Sequence, residues 1–411
     1  MQQENIITEE EVLKFRDETG SPIEKIHFNN AGSSLHPTIV VDTVVNYLRE
    51  EAIIGGYEAD HKYKPELEYT YDLIAKLINS ERDEIAIVEN ASTAWGLAFN
   101  GIKFNEGDVI ITSEMEYITN LIGFIHLKKT KGVKVQVIPN DEQGNFQLQA
   151  LEAAITTDTK LIAITHIPST AGAVLPIVAI GKIARKNNIL YMVDACQTVG
   201  QLPIDVKAIG CDILSVTGRK YLRAPRGTGF LFVRKAIQDQ LELLLVDGHS
   251  AELTSDDDYQ IRCDGRRFEL FEKSRALVLG LGKAVEYALA IGIERIWQRI
   301  QLLSGELRNQ LKEIEGVTIH DTGALQCGIV TFSVNGLTSQ EIKAKLSEVN
   351  INVSVGLAKS TLIYMNKNEL VDVVRASVHY YNTNDEIKLF SKELTTIIKT
   401  RSFKHQELIQ P

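Results

Sequence analysis

Between residues 80 and 235, short β-branched runs alternate with amphipathic stretches, and this alternation constrains the fold more than any other feature of the chain. The runs lie at residues 85–89, 109–113, 133–138, 161–165, 189–193, 212–216 and 229–233. Several are apolar almost throughout, as expected of strands covered by helices on both faces. Helical patterns separate them: residues 119–131 stop at Gly132, and residues 178–187 stop at an Asn pair. Strand–helix alternation predicts a mostly parallel α/β sheet. Right-handed crossovers then gather the strand C-termini on one edge, where such sheets bind ligands.

The last third reads differently. A long helical region at 275–315, interrupted near Gly292, leads to short strands at 317–320 and 328–334. Thr338 and Glu341 form a capping box, and further strands are predicted at 352–355 and 373–378. Thr383 and Glu386 cap a final helix whose apolar face carries Leu389, Phe390 and Leu394. This is an α+β module, a smaller C-terminal domain joined by the long helix. The expected division is a large domain at 28–283 and a small domain made of 1–27 and 284–411. Of 411 residues 44% are apolar, enough for one large core or two unequal ones.

Charge and cysteine usage exclude other classes. The net charge of −10, with basic and acidic residues interspersed, gives a nucleic-acid partner no electrostatic encouragement. Cys196, Cys211, Cys263 and Cys327 lie far apart, with no CxxC and no His pair at ligand spacing, so no metal site is expected. The polar, acidic N-terminal stretch reads as neither a signal nor a transit peptide. No uncharged apolar run approaches the roughly 20 residues that span a bilayer. A cytoplasmic protein with no membrane partner is expected.

Two segments carry the strongest chemistry. Asp194-Ala195-Cys196-Gln197 ends an apolar run, so Asp194 sits on the ligand-binding edge. A carboxylate there can keep a cofactor's pyridine nitrogen protonated, and Gln197 can bond a ring oxygen; the alternative is a plain N-cap. The run at 212–216 leads to Thr217-Gly218-Arg219-Lys220. A lysine at a strand end, partly desolvated and beside another cation, can lose its proton and form an imine. Thr217 and Arg219 would suit a phosphate; the alternative is a solvated basic turn. Asp194 and Lys220 on two strand ends of one sheet argue against that alternative.

Three weaker segments accompany them. Ser92 and Thr93 follow a strand and open a helical pattern, which fits either a phosphate site or an ordinary N-cap. Tyr117 can lie against a planar cofactor, with Asn120 nearby for a substrate carboxylate; simple packing is the alternative. Arg375 stands inside an apolar strand of the small domain and needs a partner, either a substrate carboxylate or an internal acid.

Together these segments resemble the class V aminotransferase family, the group that includes cysteine desulfurases. The matching pieces are His27 to Gly32, Ala91-Ser92-Thr93, Glu116-Tyr117 through Asn120, Asp194 to Gln197, Thr217 to Lys220, and Arg375-Ala376-Ser377 with Tyr381-Asn382-Thr383. They span almost the whole chain. The resemblance implies an aspartate-aminotransferase-type α/β fold with a mostly parallel seven-stranded sheet, a homodimer and pyridoxal 5′-phosphate as cofactor. It makes Lys220 the catalytic imine lysine, Asp194 the partner of the pyridine nitrogen and Gln197 that of the ring hydroxyl. Tyr117 stands against the ring. Ser92, Thr93, Thr217 and Arg219 become phosphate ligands; Arg375, Asn120 and Ala31 face the substrate. In this family the neighbouring subunit also reaches the phosphate, from a segment corresponding to residues 267–274, where this chain carries bulkier residues.

Three departures narrow the reading. Desulfurases carry a nucleophilic cysteine on a small-domain loop, and residues 354–361 hold none, which disfavours desulfuration. Tyr117 and Arg219 stand where histidines are usual. Arg219, Arg223 and Arg226 place three guanidiniums around one turn, one for phosphate, another for an anionic substrate group, with surface pairing expected for at least one. That turn resembles the isopenicillin N epimerase-like group, which includes the ergothioneine-pathway carbon–sulfur lyase. The expected function is therefore a pyridoxal-phosphate lyase that eliminates sulfur from a cysteine conjugate or its sulfoxide, releasing pyruvate and ammonia. Transamination, epimerisation and a catalytically silent binding role are the alternatives.

Overall fold

The computed structural model describes residues 6–20 and 25–407, with side chains described to residue 400. Residues 1–5 of the polar N-terminal stretch, and residues 21–24, both inside the expected 1–27 piece of the small domain, lie outside the described residues.

The alternating region folds into one seven-stranded sheet. Its strands are β1 (Ile85–Val88), β2 (Val109–Ser113), β3 (Lys134–Ile138), β4 (Thr159–Thr165), β5 (Leu190–Asp194), β6 (Ile213–Thr217) and β7 (Gly229–Val233). The spatial order is β1-β7-β6-β5-β4-β2-β3. Only β7 runs antiparallel to its neighbours; the others are parallel. Strands β1, β2, β6 and β7 are buried at every residue, whereas β3, the edge strand opposite β1, alternates towards solvent. That difference matches the sequence, because residues 134–138 carry Lys134 and Gln136.

Helices cover both faces. Apart from α1 (Glu9–Asp17), which is ion-paired to Glu386 and Arg299, they include α2 (Thr38–Ile54), α3 (Lys64–Ile78), α4 (Ala91–Gly101), α5 (Ile118–Lys131) and α6 (Ile177–Lys186). Helix α6 buries Ile177, Ile180, Gly181, Ile183 and Ala184 on one face. At Gly181 a Cβ would lie 1.8 Å from the Ile209 carbonyl oxygen, so only glycine permits that approach. The long helical region is α7 (Arg275–Ile291) and α8 (Ile293–Lys312), bent by 77° at Gly292, whose φ is 95°. Among the described residues no single helix is long and apolar enough to cross a membrane; the bent pair qualifies only by combined length and composition, and its apolar side chains are in the core.

The smaller C-terminal domain holds a four-stranded antiparallel sheet of β8 (Val317–Ile319), β9 (Ile329–Val334), β10 (Ser354–Leu357) and β11 (Asp372–Ser377), in the order β8-β9-β11-β10. Helices α9 (Ser339–Glu348) and α10 (Asn384–Glu407) lie against it. The Thr338–Glu341 capping box forms. The expected strand at 352–355 is two pieces: Ile351–Asn352 pairs in parallel with Ile26–His27, and β10 pairs with β11. The N-terminal segment thus captures the first half and splits the run. Leu389, expected on the apolar face of α10, is 45% exposed, while Ile387, Phe390 and Leu394 are buried at helical spacing.

Candidate active site

The segments leaving the C-terminal ends of β1, β2, β4, β5 and β6 converge on one cavity of about 390 Å³. Lys220, three residues past β6, lines it. Its ammonium is pushed below the ordinary lysine value, chiefly by burial, with the neighbouring Arg219 and Arg375 adding to the effect against Asp194. No hydrogen bond or ion pair holds Lys220 among the described residues. Asp194, the last residue of β5, is buried and lines the same cavity. Its Oδ1 accepts from the Cys196 N–H at 2.9 Å and its Oδ2 from Asn120 Nδ2 at 3.1 Å.

That contact changes the reading of Asn120. Its amide nitrogen is engaged by Asp194 and by Glu116 Oε1 at 2.8 Å, so the atom left for a ligand is an oxygen. The Asn120 amide nitrogen thus joins Asp194 to Glu116 at the cavity wall. Ala31 is likewise occupied: its N–H donates to Ser377 Oγ at 2.9 Å and its carbonyl accepts from Gln197 Nε2 at 3.1 Å.

At the other end of the cavity, α4 points its first turn inward. Asn90 caps it, accepting from the Thr93 N–H at 3.0 Å, and Gly229 lets β7 pass close beneath, since a Cβ there would lie 3.1 Å from the Asn90 carbonyl carbon. Ser92 is exposed and lines the cavity, as do Thr217 and Arg219. Helix N–H groups, hydroxyls and a guanidinium together make an anion site. Arg219 also donates to the Gly32 carbonyl at 3.1 Å. Thr93 does not line the cavity; its hydroxyl lies 3.4 Å from Asn90 Oδ1, within the cap.

Between these ends stand Tyr117 and Gln197. With Gln197 Nε2 on Ala31, its Oε1 is buried without a partner. Ser169, which sequence reasoning passed over, also lines the cavity, with its buried Oγ unpartnered. A hydroxyl shortly after a strand end was the available signal, the same one that marked Ser92. The Ser169 carbonyl accepts from Arg375 Nη1 at 2.9 Å, and Arg375 Nε donates to Ser354 Oγ at 2.9 Å. Among the described residues Arg375 has no acid partner, and burial lowers its pKa. Cys196 lines the floor, its thiol pushed well up by burial and by Asp194.

The three guanidiniums of the turn separate sharply. Arg223, expected near substrate or in a surface pair, is 2% exposed and donates to the Leu35 carbonyl at 2.7 Å, Thr19 Oγ1 at 2.7 Å and the Tyr380 hydroxyl, over the Tyr381 ring. Arg226 is exposed at the cavity rim, without an ion pair among the described residues. In the 267–274 segment, buried Glu269 accepts from Tyr71, His249, Lys273 and the Ile87 N–H, tying that segment to its own subunit.

An electron-sink cofactor with a phosphate, a ring hydroxyl and a ring nitrogen fits these donors. The unpartnered Gln197 Oε1 and Ser169 Oγ await a polar ligand group, and a buried acceptor left unmade costs about 1–3 kcal/mol. A model of the family described as aminotransferase class-V matches residues 26–390. The chain belongs to the class V aminotransferase family. A probable cysteine desulfurase of Methanothermobacter thermautotrophicus is 30% identical over 380 residues, covering 91% of this chain and 95% of that protein. The apo structure of a cysteine desulfurase from Thermococcus onnurineus NA1 has a TM-score of 0.88 at 28% identity, covering 94% of this chain and 98% of the other. A C-DES mutant with glycine covalently linked to its pyridoxal phosphate shares the fold, with a TM-score of 0.84 at 22% identity over 92% and 98%. This class V member is a pyridoxal-phosphate-dependent enzyme.

The expected reaction is corrected by the same findings. A conjugate or sulfoxide lyase was expected and desulfuration disfavoured, yet the relatives spanning nine-tenths of this chain are named cysteine desulfurases. They support the family and not the ergothioneine-lyase subgroup. Desulfuration was disfavoured because residues 354–361 hold no cysteine, and a lyase was expected from the likeness of the arginine-rich turn to one subgroup; neither feature outweighs relatives that match nearly the whole chain.

Proposed function

We propose that this enzyme takes sulfur from cysteine and delivers it to a thiol supplied from outside the chain, leaving alanine. The carrying observation is Lys220: half-buried, held below its ordinary pKa and with no side-chain partner among the described residues, it shares one cavity with Asp194. The names of the relatives supply the substrate class. In the overall reaction the Cβ–S bond of cysteine breaks, an S–S bond forms to the acceptor, and Cβ gains the acceptor's proton. Cysteine plus thiol gives alanine plus persulfide, with no external oxidant.

In this reading Lys220 would hold the cofactor, Asp194 its ring nitrogen and Gln197 its ring hydroxyl. Ser92, Thr217, Arg219 and the first turn of α4 would hold the phosphate. When bound, pyridoxal phosphate supplies an electron sink for charge developing at Cα. Lys220, a neutral amine when released, removes the Cα proton and returns it. Arg375 orients the substrate carboxylate with the nitrogen that Ser354 and Ser169 leave free. Tyr117 closes one side of the ring, and with no imidazole there Lys220 carries the proton transfers.

The same reading takes the enzyme as a cytoplasmic homodimer, with the domain division at 28–283. Ile53 and Tyr57, four residues apart and each 82% exposed, are apolar side chains that a second subunit would cover. The test is product analysis with pyridoxal phosphate, cysteine and a reducing thiol. Alanine and sulfide in equal amounts support desulfuration; pyruvate and ammonia in place of alanine would overturn it.

A further inference from the structure

Behind Asp194 lies a second carboxyl group that the reaction above does not use. Glu116, just beyond β2, is 1% exposed. Its Oε1 accepts from the Tyr117 N–H at 2.9 Å, from Asn120 Nδ2 at 2.8 Å and from the Thr165 hydroxyl. Its Oε2 accepts from the Thr112 hydroxyl at 2.8 Å and the Thr165 N–H at 3.2 Å. The Asn120 amide nitrogen has two hydrogens; the other faces Asp194 Oδ2 at 3.1 Å. Both partners are carboxyl oxygens, which fixes the direction of the amide.

Two buried carboxyls thus share one amide: Asp194 accepts one of its hydrogens, and Glu116 holds the other side as acceptor. Without that acceptor the amide can turn over and present its oxygen to Asp194, replacing an attraction by a repulsion. In a dry site such a reversal acts at close to full strength. Burial foremost, aided by the Asp194 charge, raises the Glu116 pKa against its hydrogen bonds. The group is therefore costly to bury, and a purely mechanical fastening of β2 to β4 would not need a carboxyl.

We propose that Glu116 is a positioning residue which, through Asn120, sets how strongly Asp194 favours a protonated ring nitrogen over an uncharged ring. This rests on the reading that Asp194 meets the pyridine nitrogen. The effect is selective: weakening the relay lowers affinity for a ring that carries the nitrogen and leaves affinity for a ring without it.

The test titrates full-length, cofactor-free protein with pyridoxal phosphate and with its 1-deaza analogue, in which the ring nitrogen is replaced by C–H. Binding is followed by fluorescence in wild type, Glu116→Gln, Asn120→Ala and Asp194→Asn. Wild type should prefer the parent cofactor. Glu116→Gln and Asn120→Ala should each lose about 10-fold of that preference, the usual scale for a residue behind a ligand. Asp194→Asn should lose all of it. If both relay variants weaken the two ligands equally while Asp194→Asn abolishes the preference, Glu116 is only structural and the proposal fails. An unchanged preference in Asp194→Asn would instead overturn the reading beneath it. Asn120→Ala carries the test alone if Glu116→Gln does not fold.

Discussion

Lys220 and Arg223 lie three residues apart on one turn and have opposite surroundings. Lys220 lines an open cavity with no side-chain partner among the described residues, its positive charge disfavoured by burial. Arg223 is closed in by three hydrogen bonds and an aromatic ring 4.4 Å away, joining Thr19 and Leu35 to the small-domain pair Tyr380 and Tyr381. Arg223 even adopts φ of 61°, which non-glycine residues rarely accept, to reach that pocket. A cation left unsatisfied beside a cavity waits for a ligand; one fully satisfied in the dry interior holds the fold. The contrast divides the whole molecule between the strand-end edge and the junction behind it.

The sharpest way to break this division is Lys220→Ala. Turnover should fall by about 10⁴-fold, the upper scale for loss of a positioned proton carrier. The visible absorption of the holoenzyme should vanish. Stability of the cofactor-free protein should hold or rise, because a half-buried amine is removed. For a base whose folded pKa is depressed, the unfolded chain binds more protons between the two values, so wild type gains stability as pH rises through that window and the variant lacks the gain. A large loss of cofactor-free stability in Lys220→Ala would place the residue with Arg223.

Arg223→Ala tests the other half. It leaves the Leu35 carbonyl and the Tyr380 hydroxyl without their donor, and roughly 3 kcal/mol of unfolding free energy should be lost in urea titration. Arg223→Lys should recover little, since an ammonium cannot serve three diverging acceptors and lie flat on Tyr381. Retention of wild-type stability in Arg223→Ala would dissolve the comparison.

How much of this was legible in the sequence follows the same line. The seven strands could be read because residues such as Ile110, Ile164 and Val193 sit in uninterrupted apolar runs, and burial on both faces leaves no other explanation. Asp194 and Lys220 could be placed because one ends such a run and the other follows one by three residues, so chain direction puts both on the ligand edge. Arg223, Asn120, Ala31 and Thr93 could not. Each has a partner fixed by tertiary structure: Tyr380 and Thr19 for Arg223, Glu116 and Asp194 for Asn120, Ser377 and Gln197 for Ala31. Thr93 is placed for a local reason: Asn90 caps the helix and accepts from its N–H. Ser169 and Glu116 were missed because a single polar residue after a strand carries no periodicity.

His166 extends the comparison to pH. It follows β4 directly but turns away from the active-site cavity, bonding Thr198 beside a second cavity, and burial lowers its pKa to about 3. Below its unfolded value of 6.5 the unfolded chain takes a proton that the folded one refuses. Stability therefore falls as pH drops from that value towards 3. Between pH 7 and 5 this one residue should account for about 2 kcal/mol of the loss. Urea midpoints of wild type and His166→Gln at the two pH values should show the variant losing that much less. Equal losses would mean that His166 is wet and belongs to the edge.

The smallest effect asked for is also the most local. Ser92 and Thr93 are adjacent hydroxyl residues in the first turn of α4, yet Ser92 lines the cavity while Thr93 stays within the Asn90 cap. Ser92→Ala should raise the cofactor's Kd roughly 10-fold, since a hydrogen bond to a charged group contributes about 1.5 kcal/mol. Thr93→Val keeps the backbone N–H that Asn90 accepts and should change the Kd by less than about 2-fold. Equal losses in the two variants would show the turn rotating when the phosphate binds, bringing both hydroxyls onto it. The boundary between ligand edge and fixed interior would then lie one residue deeper than the cavity now places it.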